Sequence, residues 1–141
     1  MRFWDSSAVV PLLVRQALSA FVEQALGEDG EVVIWWGTPV ECISAITRLQ
    51  REGGIESNHV DDALLRLRGL TNTWHEVEPQ LRLRELAERL LRRHPLRSAD
   101  SLQLAAALMA CEERPEGVLF VCLDKRLAEA AGREGFRLVT R

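Results

Sequence analysis

No two of the three cysteines, Cys42, Cys111 and Cys122, are spaced as a CxxC pair, and an odd number cannot be fully paired within one chain. A reduced, cytoplasmic setting is therefore expected. His59, His75 and His94 are too dispersed to complete a zinc pattern. Long apolar runs are also missing. Nothing approaches the ~20 residues of a membrane span, and the opening Met1-Arg2-Phe3-Trp4-Asp5 meets a carboxylate before a signal-peptide core could develop, so no membrane association is expected. Charge of one sign is not in large excess: 18 basic residues face 21 acidic ones, for a net charge of −3. This argues against wholesale disorder and against a polybasic nucleic-acid binder, so any nucleic-acid contact must be local. Lysine is nearly absent, since 17 of the 18 basic residues are arginine and only Lys125 remains. Internal repeats, low-complexity stretches and linkers are lacking too.

What is present is a chain of 141 residues, 47% apolar, the size of one domain spanning residues 1–141. At that length roughly two-thirds of the unfolded surface can be buried without metal or disulfide support. Arg2-Phe3-Trp4 reads as a strand ending at Asp5, followed by a helix whose Pro11 is expected near its first turn. A second helix over 17–26 precedes the continuous apolar strand Val32-Val33-Ile34-Trp35-Trp36. Thr38-Pro39-Val40-Glu41 combines an N-cap threonine, a proline at N1 and a glutamate at N3, with Ile43, Ile46 and Leu49 on one face of the helix that follows. Further on, a helix over 57–67, a short strand over 74–77 and an arginine-rich helix from Pro79 to Arg93 are expected. A helix from Ser98, the buried-type strand Val118 to Leu123 ending at Asp124, a helix over 125–134 and a strand over 136–139 complete the chain. Alternating strands and helices imply an α/β fold with a mainly parallel sheet.

Asp5 and Asp124 each follow an apolar strand, while Glu41 and Asp100 fall in the first turns of helices, at about N3 and N2. In a parallel sheet, strand C-termini and the helix N-termini after them share one edge, where ligands bind at the topological switch point. All four acids are expected to face one crevice. Two charges 4 Å apart repel by ~4 kcal/mol at an effective dielectric of 20, so such a cluster calls for a divalent cation. Mg2+, with Mn2+ as the alternative, suits oxygen-only donors and leaves positions for a phosphate oxygen. Each acid also has a plainer role available. Glu41 could complete a capping box with Thr38, and Asp100 and Asp124 could complement helix dipoles. For Asp5 no such need is evident, because Ser6 or Ser7 could cap its helix.

The segments Phe3-Trp4-Asp5-Ser6-Ser7-Ala8, Thr38-Pro39-Val40-Glu41 with Arg48, Leu96-Arg97-Ser98-Ala99-Asp100-Ser101-Leu102-Gln103-Leu104 and Val121-Cys122-Leu123-Asp124-Lys125-Arg126-Leu127 follow one another in an order and spacing that resembles the PIN-domain family, and within it the VapC-like toxin ribonucleases of type II toxin–antitoxin pairs. The resemblance covers nearly the whole chain. It implies a single PIN-like domain with a five-stranded, mainly parallel sheet flanked by helices, and a Mg2+- or Mn2+-dependent endoribonuclease (a hydrolase) with Asp5, Glu41, Asp100 and Asp124 as catalytic metal ligands. It further implies a homodimer and a cognate antitoxin protein, with no direct DNA binding by this chain without that antitoxin. One departure is visible. The family often has Thr or Ser two residues before its last acid, where this chain has Cys122, a weaker donor.

Arginine's planar fork suits phosphates and stacks on unpaired bases, so Arg15, Arg48, Arg97, Lys125 and Arg126, near the acid-bearing segments, are candidates for RNA contact. Ser7 is a further candidate, through a hydrogen bond at the site. Arg82, Arg84, Arg89, Arg92 and Arg93 share their segment with Glu85 and Glu88 and read instead as a solvated, ion-paired face. Trp4, Trp35 and Trp74 read as core, and Trp36 as the tryptophan suited to an exposed role. Two other acid-bearing folds fit poorly: a phosphate-receiver domain needs an aspartate after the third strand, and an aspartyl-nucleophile phosphatase needs one where Ser7 stands. The alternative that stays open is a catalytically degenerate PIN fold that binds RNA or a protein without cutting.

Overall fold

A computed structural model describes residues 1–28 and 30–139. Its five strands are β1 (Arg2–Trp4), β2 (Val32–Trp35), β3 (His75–Val77), β4 (Leu119–Val121) and β5 (Arg137–Val139), and all pair in parallel in the order β3-β2-β1-β4-β5. Seven helices are described: α1 (Ser6–Leu13), α2 (Ser19–Gly27), α3 (Thr38–Arg51), α4 (Ser57–Thr71), α5 (Leu81–Arg93), α6 (Ser98–Ala110) and α7 (Lys125–Glu134). The α/β class and the five-stranded parallel sheet are those expected from the sequence. Among the described residues no helix is long and apolar enough to cross a membrane.

Side chains alternate across each strand, so neighbouring residues enter different cores. Phe3, Val33, Trp35 and Phe120 pack with α5, α6 and α7, whereas Trp4, Val32, Ile34 and Val121 pack with α1, α2, α3 and α4. The sheet is therefore covered on both faces, which is why its strands read as unbroken apolar runs. Each fully buried large side chain removed from water contributes roughly 1.5–3 kcal/mol. On one face Phe120 stacks on Phe3 and tilts against Phe136, with centroids 5.4 Å apart in both pairs; on the other, Trp4 stacks on Trp74 at 6.4 Å. Leu104, Ala105, Ala106 and Ala107 of α6 are fully buried, their small side chains allowing close approach to the sheet.

Several boundaries differ from the sequence expectation for identifiable reasons. Asp5 caps α1, so Ser6 and Ser7 are already helical and Pro11 falls in the second turn rather than the first. Its ring removes the donor that the Ser7 carbonyl would otherwise receive, and α1 ends at Leu13. In α3 the N-cap is Gly37, not Thr38, which is instead the first helical residue and fully buried. A Cβ on Gly37 would lie 2.5 Å from Trp35 Nε1, so the packed indole requires glycine at this turn. β4 stops at Val121, three residues before Asp124, because Asp124 turns out of the sheet to cap α7. The ion pairs of the arginine-rich α5 do not run to Glu85 and Glu88. Arg82 and Arg89 pair with Glu113, and Arg93 with Glu134, which tie α5 to the segment after α6 and to α7.

Candidate functional site

The chain leaves β1 towards β2 and leaves β4 towards β5, in opposite directions along the sheet. β1 and β4 are neighbours, so the loops after them diverge and open a crevice at their C-terminal ends. Asp5 and Asp124 stand in those two loops. Glu41 and Asp100 arrive on the first turns of α3 and α6, from opposite faces of the sheet.

Asp5 is 3% exposed, and its backbone N–H donates to Val121 O at 3.0 Å, which anchors it to β4. Its Oδ2 accepts from Ser7 N (3.1 Å), Ser7 Oγ (2.5 Å) and Cys122 Sγ (3.6 Å), while Oδ1 takes no hydrogen bond among the described residues. Asp5 thus caps α1, a role the sequence reading had left to the serines. Burial raises its pKa, against the lowering by Ser7 and Cys122 and with a further rise from Asp100. Burial likewise pushes the Cys122 thiol up, so it stays protonated and available as a donor. That single proton is shared among three contacts, Asp5 Oδ2, Asp124 O at 3.3 Å and Ser7 Oγ at 3.7 Å.

Glu41 closes no capping box with Thr38. Its carboxylate is held at both oxygens by residues distant in sequence: Ser6 Oγ donates to Oε1 at 3.1 Å and Gln103 Nε2 to Oε2 at 2.8 Å. Desolvation, helped by the charges of Asp5 and Asp100, pushes its pKa up to about 7. Asp100 occupies N3 of α6 and reaches back to Arg97 N at 3.4 Å, so part of its role is capping. Its pKa is raised by burial and then by Asp124, and lowered by Arg97 and Arg126. Asp124 is exposed and accepts from Leu127 N at 3.0 Å.

A cleft of about 690 Å³ opens over this edge, lined by Glu41, Asp100 and Asp124 together with Arg48, Arg97, Lys125 and Arg126. Asp5 does not line the opening but interacts electrostatically with Glu41 and Asp100. Four of the six residues expected to contact substrate therefore lie on the cleft wall, and two do not. Arg15 follows the far end of α1, where it pairs with Glu23 at 3.3 Å and lines a different depression with His59 and Asp62. Ser7 is spent within the protein: besides donating to Asp5, its Oγ accepts from Leu123 N (2.9 Å) and Asp124 N (3.3 Å). It ties the loop after β4 to the loop after β1 rather than facing a ligand. Trp36 is 54% exposed beside the edge, as expected, while Trp4 and Trp35 are buried.

Two solved structures share this architecture over nearly their whole length. A toxin–antitoxin complex from Klebsiella pneumoniae contains a chain with a TM-score of 0.68 and 16% identity, the match covering 99% of the present chain and 97% of that one. The crystal structure of FitAcB from Neisseria gonorrhoeae gives a TM-score of 0.67 and 13% identity, covering 98% and 96%. The fold is one that a toxin–antitoxin complex also uses. No protein-family model and no curated protein matches the sequence.

The donor set suits a hard divalent cation in chemistry: four carboxylates, oxygen only, with Asp5 Oδ1 unengaged among the described residues. Among the described residues, no three His, Cys, Asp or Glu side chains surround one point. Each acid is instead turned to its own hydrogen-bond donor. Mg2+ retains several waters and is commonly held by only one or two direct carboxylates, so this arrangement fits that ion better than a fully protein-enclosed one. Ser6 and Gln103, which pin Glu41, were not anticipated. A glutamine in an alanine- and leucine-rich stretch, one turn beyond Asp100, was the available signal.

Proposed function

We propose that the protein is a Mg2+- or Mn2+-dependent endoribonuclease of the VapC-like PIN type, the toxin of a toxin–antitoxin pair, acting as a homodimer on RNA. The observation that carries this reading is the gathering of four carboxylates at the switch point of the sheet, where Asp5, Glu41 and Asp100 repel one another and Asp124 repels Asp100. They lie within or beneath a cleft whose rim is Arg48, Arg97, Lys125 and Arg126. The fold shared with a chain of a toxin–antitoxin complex supports an antitoxin as partner.

Asp5, Glu41, Asp100 and Asp124 would hold the ion. When bound, Mg2+ or Mn2+ supplies Lewis acidity, lowering the pKa of water and offsetting charge on the phosphate. The chain's own contribution is positional. Ser7 holds Asp5 and the Asp124 loop at one spacing, Ser6 and Gln103 hold Glu41, and the rim arginines take the phosphates flanking the scissile ester. Hydrolysis then adds water across one P–O ester bond, the leaving oxygen taking the proton.

Incubation of purified protein with structured RNA and Mg2+ or Mn2+ tests this. Cleavage is expected for the wild type and a loss of at least 100-fold for Asp5→Asn and for Asp100→Asn, about the size of effect that loss of a charge-stabilising group produces. Metal-dependent cutting that survives both substitutions would refute the assignment. A second reading, a degenerate PIN fold that binds RNA or protein without cutting, is favoured by the Cys122 thiol beside Asp5 and by the absence, among the described residues, of three ligands around one point. RNA binding with no cleavage by the wild type in either metal would select it.

A further inference from the structure

We propose that Gln103 is a positioning residue for the metal site, its side-chain amide fixing the Glu41 carboxylate at the acidic cluster; this rests on the metal-dependent reading above. Gln103 is completely buried, and both protons of its Nε2 are committed, one to Glu41 Oε2 at 2.8 Å and one to Thr38 Oγ1 at 3.0 Å. Its Oε1 is buried with no partner among the described residues. An orphaned buried acceptor is costly, and a leucine or methionine of similar volume would fill the same space without it. The surrounding residues of α6, Leu104 to Ala107, are of that apolar kind. The packing therefore does not account for an amide here, whereas the two bonds do.

Thr38 and Glu41 are one turn apart on α3, and Asp100 and Gln103 one turn apart on α6, so each pair shares a helix face. One amide plane anchored at two points thus joins the acid-bearing turns of two helices that approach from opposite faces of the sheet. With Ser6 Oγ on Oε1, it leaves the carboxylate little freedom to rotate. The neutrality of the donor is also fitting. An arginine at this position would pin Glu41 as well but would cancel the charge a cation needs, whereas an amide orients the carboxylate and leaves its charge in place.

The test is Mn2+ binding to the full chain by isothermal titration, with no RNA present, for wild type, Gln103→Met, Glu41→Gln and the double variant, each checked for native circular dichroism. Gln103→Met is expected to raise the Mn2+ dissociation constant about tenfold or more, in line with other partners of metal ligands. In the Glu41→Gln background the same substitution is expected to change it by less than twofold, since its effect passes through Glu41. If Gln103→Met fails to fold, Gln103→Asn retains the polar group but withdraws it by one methylene, and the same pattern is expected. An unchanged dissociation constant, or an equal loss in both backgrounds, would overturn the positioning role and leave Gln103 as a packing residue. Failure of the wild type to bind Mn2+ would overturn the metal-dependent reading itself, and the role of Gln103 with it.

Discussion

Asp5 carries two obligations that pull against each other. It caps α1 and anchors to β4, both stabilising, yet it is buried near Glu41 and Asp100. Glu41 shows the cost most directly, because its pKa rises from an ordinary 4.5 to about 7. The folded protein then binds more protons than the unfolded chain between those values, so stability falls as pH rises through that window. In EDTA the melting temperature is expected to decline from about pH 4.5 to 7. Glu41→Gln should flatten the decline and raise Tm at pH 8 by a few degrees, since 1 kcal/mol moves Tm by about 2–4 °C at a comparable chain length. The carbonyl of the new glutamine can still accept from Gln103. A steeper decline in the variant would contradict this account, as would an unchanged one. Asp5, Glu41, Asp100 and Asp124 were legible as a set from their places after strands and in first helical turns. The direction each carboxylate takes was not, because Ser6 and Gln103 reach Glu41 from 35 and 62 residues away.

At the scale of elements, the turn from β2 into α3 decides where Glu41 begins. Thr38-Pro39 looked like a cap followed by N1, but the helix starts one residue earlier, since glycine fits beneath the Trp35 indole and the threonine hydroxyl is claimed by Gln103. Local sequence chemistry here lost to a tertiary contact. Gly37→Ala is expected to destabilise the protein by about 1–3 kcal/mol through overpacking. The same change should weaken Mn2+ binding, because shifting Trp35 moves the first turn of α3. Urea denaturation and the Mn2+ titration check the two effects, and a neutral result in both would show that the indole moves freely. Pro11 illustrates the opposite case. Its place inside a helix is unusual, and α1 tolerates it over only eight residues.

Across the whole molecule, the near-neutral charge hides a local division: acids in and beneath the cleft, cations at its rim, and the α5 arginines engaged with Glu113 and Glu134. If the four rim cations meet RNA phosphates, binding of single-stranded RNA to the non-cutting Asp5→Asn protein should fall with salt at a log–log slope no steeper than about −3, each contact adding about 0.7. Arg48→Ala is expected to reduce the slope by about 0.7. Arg15→Ala should leave it unchanged, Arg15 being paired with Glu23 beyond the far end of α1. A slope that responds to Arg15 and not to Arg48 would place the RNA elsewhere.

The order of strands and helices, the parallel sheet and the choice of Asp5, Glu41, Asp100 and Asp124 as candidates came from the sequence alone, because hydrophobic period and helix-start chemistry are local and repeat along the chain. The strand order that makes β1 and β4 neighbours, the commitment of Ser7 to the protein interior and the grip of Gln103 on Glu41 were decided only by tertiary structure. Each depends on which distant surfaces pack together. Packing is a property of the assembled layers, and no window of neighbouring residues contains it.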